Sequence, residues 1–249
     1  MPKQRIDTLL VERGLVESRN LAQRLVMAGQ VRVDGQVVFK SSVLVSLDAE
    51  LAVKSGPRFV SRGGEKLLAA LEYFDLDVAG MRCADVGAST GGFTDCLLQH
   101  GAAQVYAIDV GKGILHWKLR QDERVVVMEG VNARYAERLP ASIDLVTIDA
   151  SFISLKMLLP VVSAWLGEQG EVLALIKPQF EAGKAEATRG KGVIKDAKVH
   201  QRVVEEISGF AQELGYIHKG VIESPVRGPK GNVEFVLHLG LLKKRNWVP

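Results

Sequence analysis

The sequence predicts an α/β protein: a doubly wound, Rossmann-like sheet of seven strands, the last pair antiparallel, behind a small α+β module. Three observations carry this. From Phe59 onward, short apolar runs alternate with helical stretches, the pattern of a parallel sheet covered on both faces. The first run ends in a glycine-rich turn, Gly87-Ala88-Ser89-Thr90-Gly91-Gly92. Charge is also unevenly spread over the 249 residues, whose net charge is +3. The first 60 residues hold nine Lys/Arg against six Asp/Glu, and the remainder holds 23 of each. A basic module is therefore joined to a neutral one.

Hydrophobic residues make up 47% and charged residues 24%, enough apolar material to offset ordering entropy and exclude bulk disorder. Cys83 and Cys96 cannot build a disulfide framework or a cysteine zinc site, so no metal is expected. The N-terminal segment has no apolar core or small-residue cleavage site. The longest apolar candidate, 153–166, is broken by Lys156 and Pro160. A cytoplasmic protein with no membrane span and no obligate protein partner is expected.

In the basic module, Ile6, Leu9 and Leu10 lie at helical spacing and Gly14 reads as a stop. Ser18 is suited to cap a second helix carrying Leu21, Leu25 and Val26, stopped by Gly29. Alternating apolar residues around Asp34-Gly35 predict a hairpin, and 51–53 a further strand. Arg5, Arg19, Arg24, Arg32 and Lys40 are spread over these elements as candidate contacts for a polyanion. The runs R-I-D-T-L-L (5–10), S-R-N-L-A-Q-R-L (18–25) and G-Q-V-R-V-D-G-Q-V-V-F-K (29–40) resemble the S4-type RNA-binding domain. That resemblance implies contact with structured RNA through the helix pair and hairpin. The module is expected over 1–56, a linker over 57–61, and the second domain over 62–249.

In the second domain a helix is expected over 64–74 and strands over 82–87, 103–109, 125–128, 143–149 and 171–176. A helix follows at 198–214, then strands at 219–223 and 232–239. The short connection 225–231 leaves no room for a crossover helix, so these last two should be antiparallel.

Glycines after a first strand let backbone approach a ligand, and an acid ending the second strand, Asp109, suits ribose hydroxyls. A dinucleotide site wants G-x-G-x-x-G, but Ser89 occupies its second glycine position. Asp85, two residues before Gly87, is placed to pair with a cationic amino group. The D-x-G-x-x-x-G spacing therefore suits S-adenosyl-L-methionine better. Candidate cofactor residues are Asp85, Gly87, Ser89, Gly91, Gly92, Phe93, Asp109 and Asn132, although Phe93 also reads as helix packing and Asn132 as a turn residue.

Charged residues gather where ligands bind such sheets, at the carboxyl ends of the strands. Asp149 ends the fourth strand, Lys177 ends the fifth, Glu234 opens the last, and Lys66 reaches over from its helix. Lys177, between five apolar residues and Pro178, is a costly charge without a partner. The segments S-R-G-G-E-K-L (61–67), D-V-G-A-S-T-G-G-F-T-D (85–95), I-D-A-S-F (148–152), L-I-K-P-Q-F-E (175–181) and G-N-V-E-F (231–235) resemble the FtsJ-like ribose 2′-O-methyltransferases. That resemblance implies a catalytic Lys66-Asp149-Lys177-Glu234 tetrad. The order of the two domains resembles the hemolysin-A-like (TlyA-type) family, which implies methylation of ribosomal RNA, at cytidines in that family, with rRNA or ribosomal subunits as partners. Lys184, Arg189 and Lys191, in the Gly- and Lys-rich segment 182–198, are expected to contact RNA from a mobile loop. The competing expectations are a base-methylating enzyme, a non-catalytic RNA-binding assembly factor and a haemolysin.

Overall fold

Ile6, Leu9 and Leu10 form the buried face of helix α1 (Ile6–Glu12). Helix α2 (Arg19–Met27) starts at Ser18, whose Oγ accepts from Leu21 N at 3.3 Å, and buries Ala22 and Val26. In this computed structural model, which describes residues 2–54, 56–136, 138–183, 186 and 192–241, both helices belong to a unit ending at Arg58. Strands β2 (Val31–Val33) and β3 (Gln36–Val38) form the expected hairpin, with Asp34 and Gly35 both at positive φ, as a type I′ turn requires. Strand β5 (Leu51–Val53) pairs on the other side of β2. A two-stranded sheet, β1 (Lys3–Arg5) with β4 (Leu44–Ser46), was not expected, because three polar residues show no alternation to read. Val16, Val31, Val45 and Ala49 close the core.

The second unit begins at Phe59. Phe59–Ser61, expected as linker, are docked on it: Phe59 is buried beside Gly64, and Val60 N donates to Asp95 Oδ2 at 2.9 Å. Its seven strands are β6 (Arg82–Val86), β7 (Gln104–Asp109), β8 (Val125–Glu129), β9 (Ile143–Ile148), β10 (Leu166–Ile176), β11 (Tyr216–Glu223) and β12 (Phe235–Leu241). Their spatial order is β11-β12-β10-β9-β6-β7-β8, with β12 antiparallel to both neighbours. The seven-stranded sheet with an antiparallel last pair is as predicted. Three strand starts differ by three residues or more, β11 beginning at Tyr216 rather than 219. Strand β10 starts at Leu166 rather than 171, across an irregularity in L-G-E-Q-G that reads as a turn. Strand β12 starts at Phe235 rather than 232, because residues 229–231 form a 3-10 turn.

Alternation along the strands sends residues to two cores. Val172, Ala174 and Ile176 of β10 face one core, closed by α6 (Leu155–Val162) and α8 (Ala197–Glu213). Leu173 and Leu175, with Leu145 of β9 and Val236 of β12, face the other, closed by α3 (Gly63–Phe74) and α4 (Gly92–Gln99). Two short helices, α5 (Trp117–Arg120) and α7 (Pro178–Glu181), follow β7 and β10.

Candidate active site

Continuing the alternation past the strand ends places positions 149, 177 and 234 on the face that α3 covers. Asp149 N donates to Val86 O at 2.9 Å, and Ser224 N donates to Glu234 O at 2.8 Å, so the sheet ladders still hold both residues. Pro178 keeps Lys177 extended (φ −113°, ψ 98°), so its side chain keeps the direction of Leu173 and Leu175. Lys66 lies in the first turn of α3, among the buried residues of that helix.

The four side chains form a line of alternating charge. Lys66 Nζ lies 2.6 Å from Glu234 Oε2 and 3.9 Å from Asp149 Oδ2. Lys177 Nζ lies 2.5 Å from Asp149 Oδ1, and also donates to Asp149 O at 3.3 Å and Ser151 Oγ at 3.1 Å. Glu234 is wholly buried, and its second oxygen accepts from Gln179 Nε2 at 3.1 Å. Lys66 and Lys177 are nearly as buried, which is tolerable for a cation only with such partners. Ser151 and Gln179 were missed as site residues, although both stand inside the motifs that carry the acids and lysines. Phe152, at φ +63° and 91% exposed, was missed as well; its ring sits 4.9 Å from that of Phe180.

All four charges line a cavity of about 350 Å³, with Ser61, Arg62 and Arg227 also in its wall. A second cavity, of about 520 Å³, adjoins it and shares Gly87, Ser89, Asp149 and Ser151. Asp109 and Asn132 line the second, with Ile108, Val110, Ile114 and Val131 as an apolar wall. Gly87 is required between them: its φ is +82°, and a Cβ would stand 2.8 Å from Asp149 O. Asp109 accepts from Ser89 N on Oδ2 and from Gly111 N on Oδ1, both at 2.8 Å. Each oxygen keeps a second lone pair, which suits a vicinal diol. Asn132 Oδ1 holds the turn, accepting from Arg134 N at 3.1 Å, and leaves its amide nitrogen for a ligand. A carboxylate for a diol beside an apolar slot fits a nucleoside, so these residues fit S-adenosyl-L-methionine.

Gly92 and Phe93 line the first cavity, but Asp85 and Gly91 line neither. Gly91 packs against Leu119 and Leu115 at the start of α4. Asp85 lies wholly buried behind the turn, accepting from Thr94 N at 2.9 Å, Thr94 Oγ1 at 2.7 Å and Thr147 Oγ1 at 3.1 Å. These bonds tie the start of α4 to the sheet. Burial pushes the Asp85 carboxyl up to about 7, against the pull of those hydrogen bonds.

Residues 59–241 match the FtsJ-like methyltransferase family, and residues 4–51 match the S4 domain. The chain is 50% identical over 243 residues to YqxC of Bacillus subtilis, covering 95% of this chain and 85% of that one. It is 47% identical over 241 residues to the 16S/23S rRNA (cytidine-2′-O)-methyltransferase TlyA of Mycobacterium tuberculosis, covering 95% and 90%. The chain belongs to the TlyA-type FtsJ-like methyltransferases. A solved Streptococcus thermophilus chain bearing a hemolysin name superposes with a TM-score of 0.73 at 45% identity, covering 98% of this FtsJ-like methyltransferase and 90% of the other. As an enzyme of this family it takes S-adenosyl-L-methionine as its cofactor. Among the described residues of the methyltransferase, no helix is long and apolar enough to cross a membrane.

In the first unit, Arg5 and Arg19 are brought to one carboxylate, that of Asp7. Arg24, Arg32 and Lys40 are exposed and make no contact with it. Arg32 Nη1 donates to Gly35 O at 2.8 Å across the hairpin turn. Lys184, Arg189 and Lys191 lie outside the described residues.

Proposed function

We propose that the enzyme methylates the ribose 2′-hydroxyl of a cytidine in ribosomal RNA, with Lys66, Asp149, Lys177 and Glu234 as its catalytic residues. The observation that carries this is the Glu234–Lys66–Asp149–Lys177 line beside a cavity that offers a carboxylate and an apolar wall to a nucleoside. The TlyA relative, named for this reaction, and the S4 match support the substrate. Ribosomal RNA, naked or in a subunit, would place the work in the cytoplasm.

The bound cofactor supplies an electrophilic methyl group. Asp109 would hold its ribose and Asn132 its adenine edge, with Ile108, Val110, Ile114 and Val131 against the ring. Gly87, Ser89, Gly92 and Phe93 would shape the passage toward the charged line.

A ribose hydroxyl is a weak acid, so a positioned group must take its proton during attack. Lys177 Nζ faces the first cavity beside Asp149 and is the base. To serve, it must first release a proton to solvent; on taking the hydroxyl proton it returns to the ammonium, for which Asp149 Oδ1, Asp149 O and Ser151 Oγ are already in place as acceptors. The charge that develops thus meets partners that need not reorganise. Lys66, fixed by Glu234, helps place the hydroxyl.

Lys177→Ala is the test. It should abolish methyl transfer to rRNA while cofactor and rRNA binding persist, and full turnover would overturn the assignment. Alkaline hydrolysis of the product separates the chemistries, since only a 2′-O-methyl protects its linkage; a modified base with a cleavable linkage refutes ribose chemistry.

A further inference from the structure

Asp7 is wholly buried, yet the arginines it holds are not: their side chains are 41% (Arg5) and 54% (Arg19) exposed. Arg5 grips it from two points, Nε to Oδ1 at 3.0 Å and Nη2 to Oδ2 at 2.9 Å. Arg19 Nε donates to Oδ2 at 3.1 Å, and Gln23 Nε2 to the same oxygen at 2.9 Å. The Arg5 hydrogen bonds, foremost, hold the Asp7 carboxyl well below the usual carboxylate range. Anchoring α1 to its surroundings needs one cation, and the second leaves the cluster at +1. Among the described residues, Arg5 Nη1 and both Nη atoms of Arg19 have no partner. Guanidinium groups held by one edge (Arg5) or by Nε alone (Arg19), with the remaining N–H groups in water, are prepared for a two-point acceptor.

We propose that Asp7 is a positioning residue that sets Arg5 and Arg19 as one fork for a single phosphodiester of RNA. This rests on the reading of the first unit as RNA-binding, and one phosphodiester balances the net +1. The carboxylate lowers the positive charge of the surface but fixes two side chains that would otherwise lose rotamer freedom on binding.

The two effects of Asp7 have opposite signs, which makes the proposal testable on the full chain with rRNA transcripts. Asp7→Asn raises the net charge by one, so simple electrostatics predicts tighter binding. Positioning predicts the reverse: affinity about tenfold weaker, with a salt dependence shallower by about one phosphate contact. Far-UV circular dichroism and a melting curve check that the first unit still folds. Arg5→Lys keeps the charge and Asp7 but cannot grip from two points, and should weaken binding as much as Arg5→Ala. Unchanged or tighter binding by Asp7→Asn, or wild-type binding by Arg5→Lys, overturns the positioning role alone. If Arg5→Ala and Arg19→Ala also bind normally, the RNA-binding reading of this face falls with it.

Discussion

Lys66 Nζ and Glu234 Oε2, 168 residues apart in sequence, meet at 2.6 Å, with Glu234 wholly buried and Lys66 nearly so. A buried ion pair carries a large desolvation cost and is weak evidence for stability, but breaking it from one side strands a charge. Glu234→Ala should therefore destabilise the second unit by about 3–5 kcal/mol. Glu234→Gln keeps the shape and loses the charge-assisted hydrogen bond, so a loss of about 1.5–3 kcal/mol is expected. Denaturant titration measures both. Methyl transfer by Glu234→Gln should fall at least about tenfold, since Lys66 then has a single carboxylate, Asp149 at 3.9 Å.

Gly228 is a second handle on the same carboxylate. Its backbone is ordinary (φ −69°), yet a Cβ there would lie 2.0 Å from Glu234 Oε1. Gly228→Ala should therefore displace Glu234 without straining the chain, and lower kcat by about tenfold or more. Residues 224–234 form no part of the cavity holding Asp109, so the cofactor Kd should stay within about twofold. Isothermal titration and single-turnover assays separate the two, and an equal loss in both would mean that the cavities are coupled.

The charged line was legible because three charges at strand ends of an apolar sheet, with a lysine on the helix beside them, are too costly to be incidental. Strand polarity then fixes which edge they share. The partners that orient them were not legible. Ser151 and Gln179 are common polar residues whose role depends on where Lys177 and Glu234 point. Nor does the spacing that singles out Asp85 reveal that Thr94 and Thr147 donate to its buried carboxylate. Strands β1 and β4 escaped for a related reason: a three-residue pair is selected by tertiary contacts, not by its own pattern. In the first unit the arginines stand out as charge, whereas the buried Asp7 that joins two of them is one acid among six.

Asp85 also yields a pH dependence. Its folded carboxyl sits at about 7, against roughly 3.9 in an unfolded chain. Between those values the folded protein holds a proton that the unfolded chain has released. The stability it contributes is complete below about pH 4 and is lost as pH rises through 7, with a slope of at most ~1.4 kcal/mol per pH unit. Asp85→Asn removes the titration while keeping an acceptor for Thr94 N, and the threonine hydroxyls can rotate to accept from its amide. The melting temperature of the parent chain minus that of Asp85→Asn should therefore fall steadily from pH 5 to pH 7 and level off by pH 8. A difference that stays constant over that range would show that Asp85 ionises as an ordinary carboxylate despite its burial.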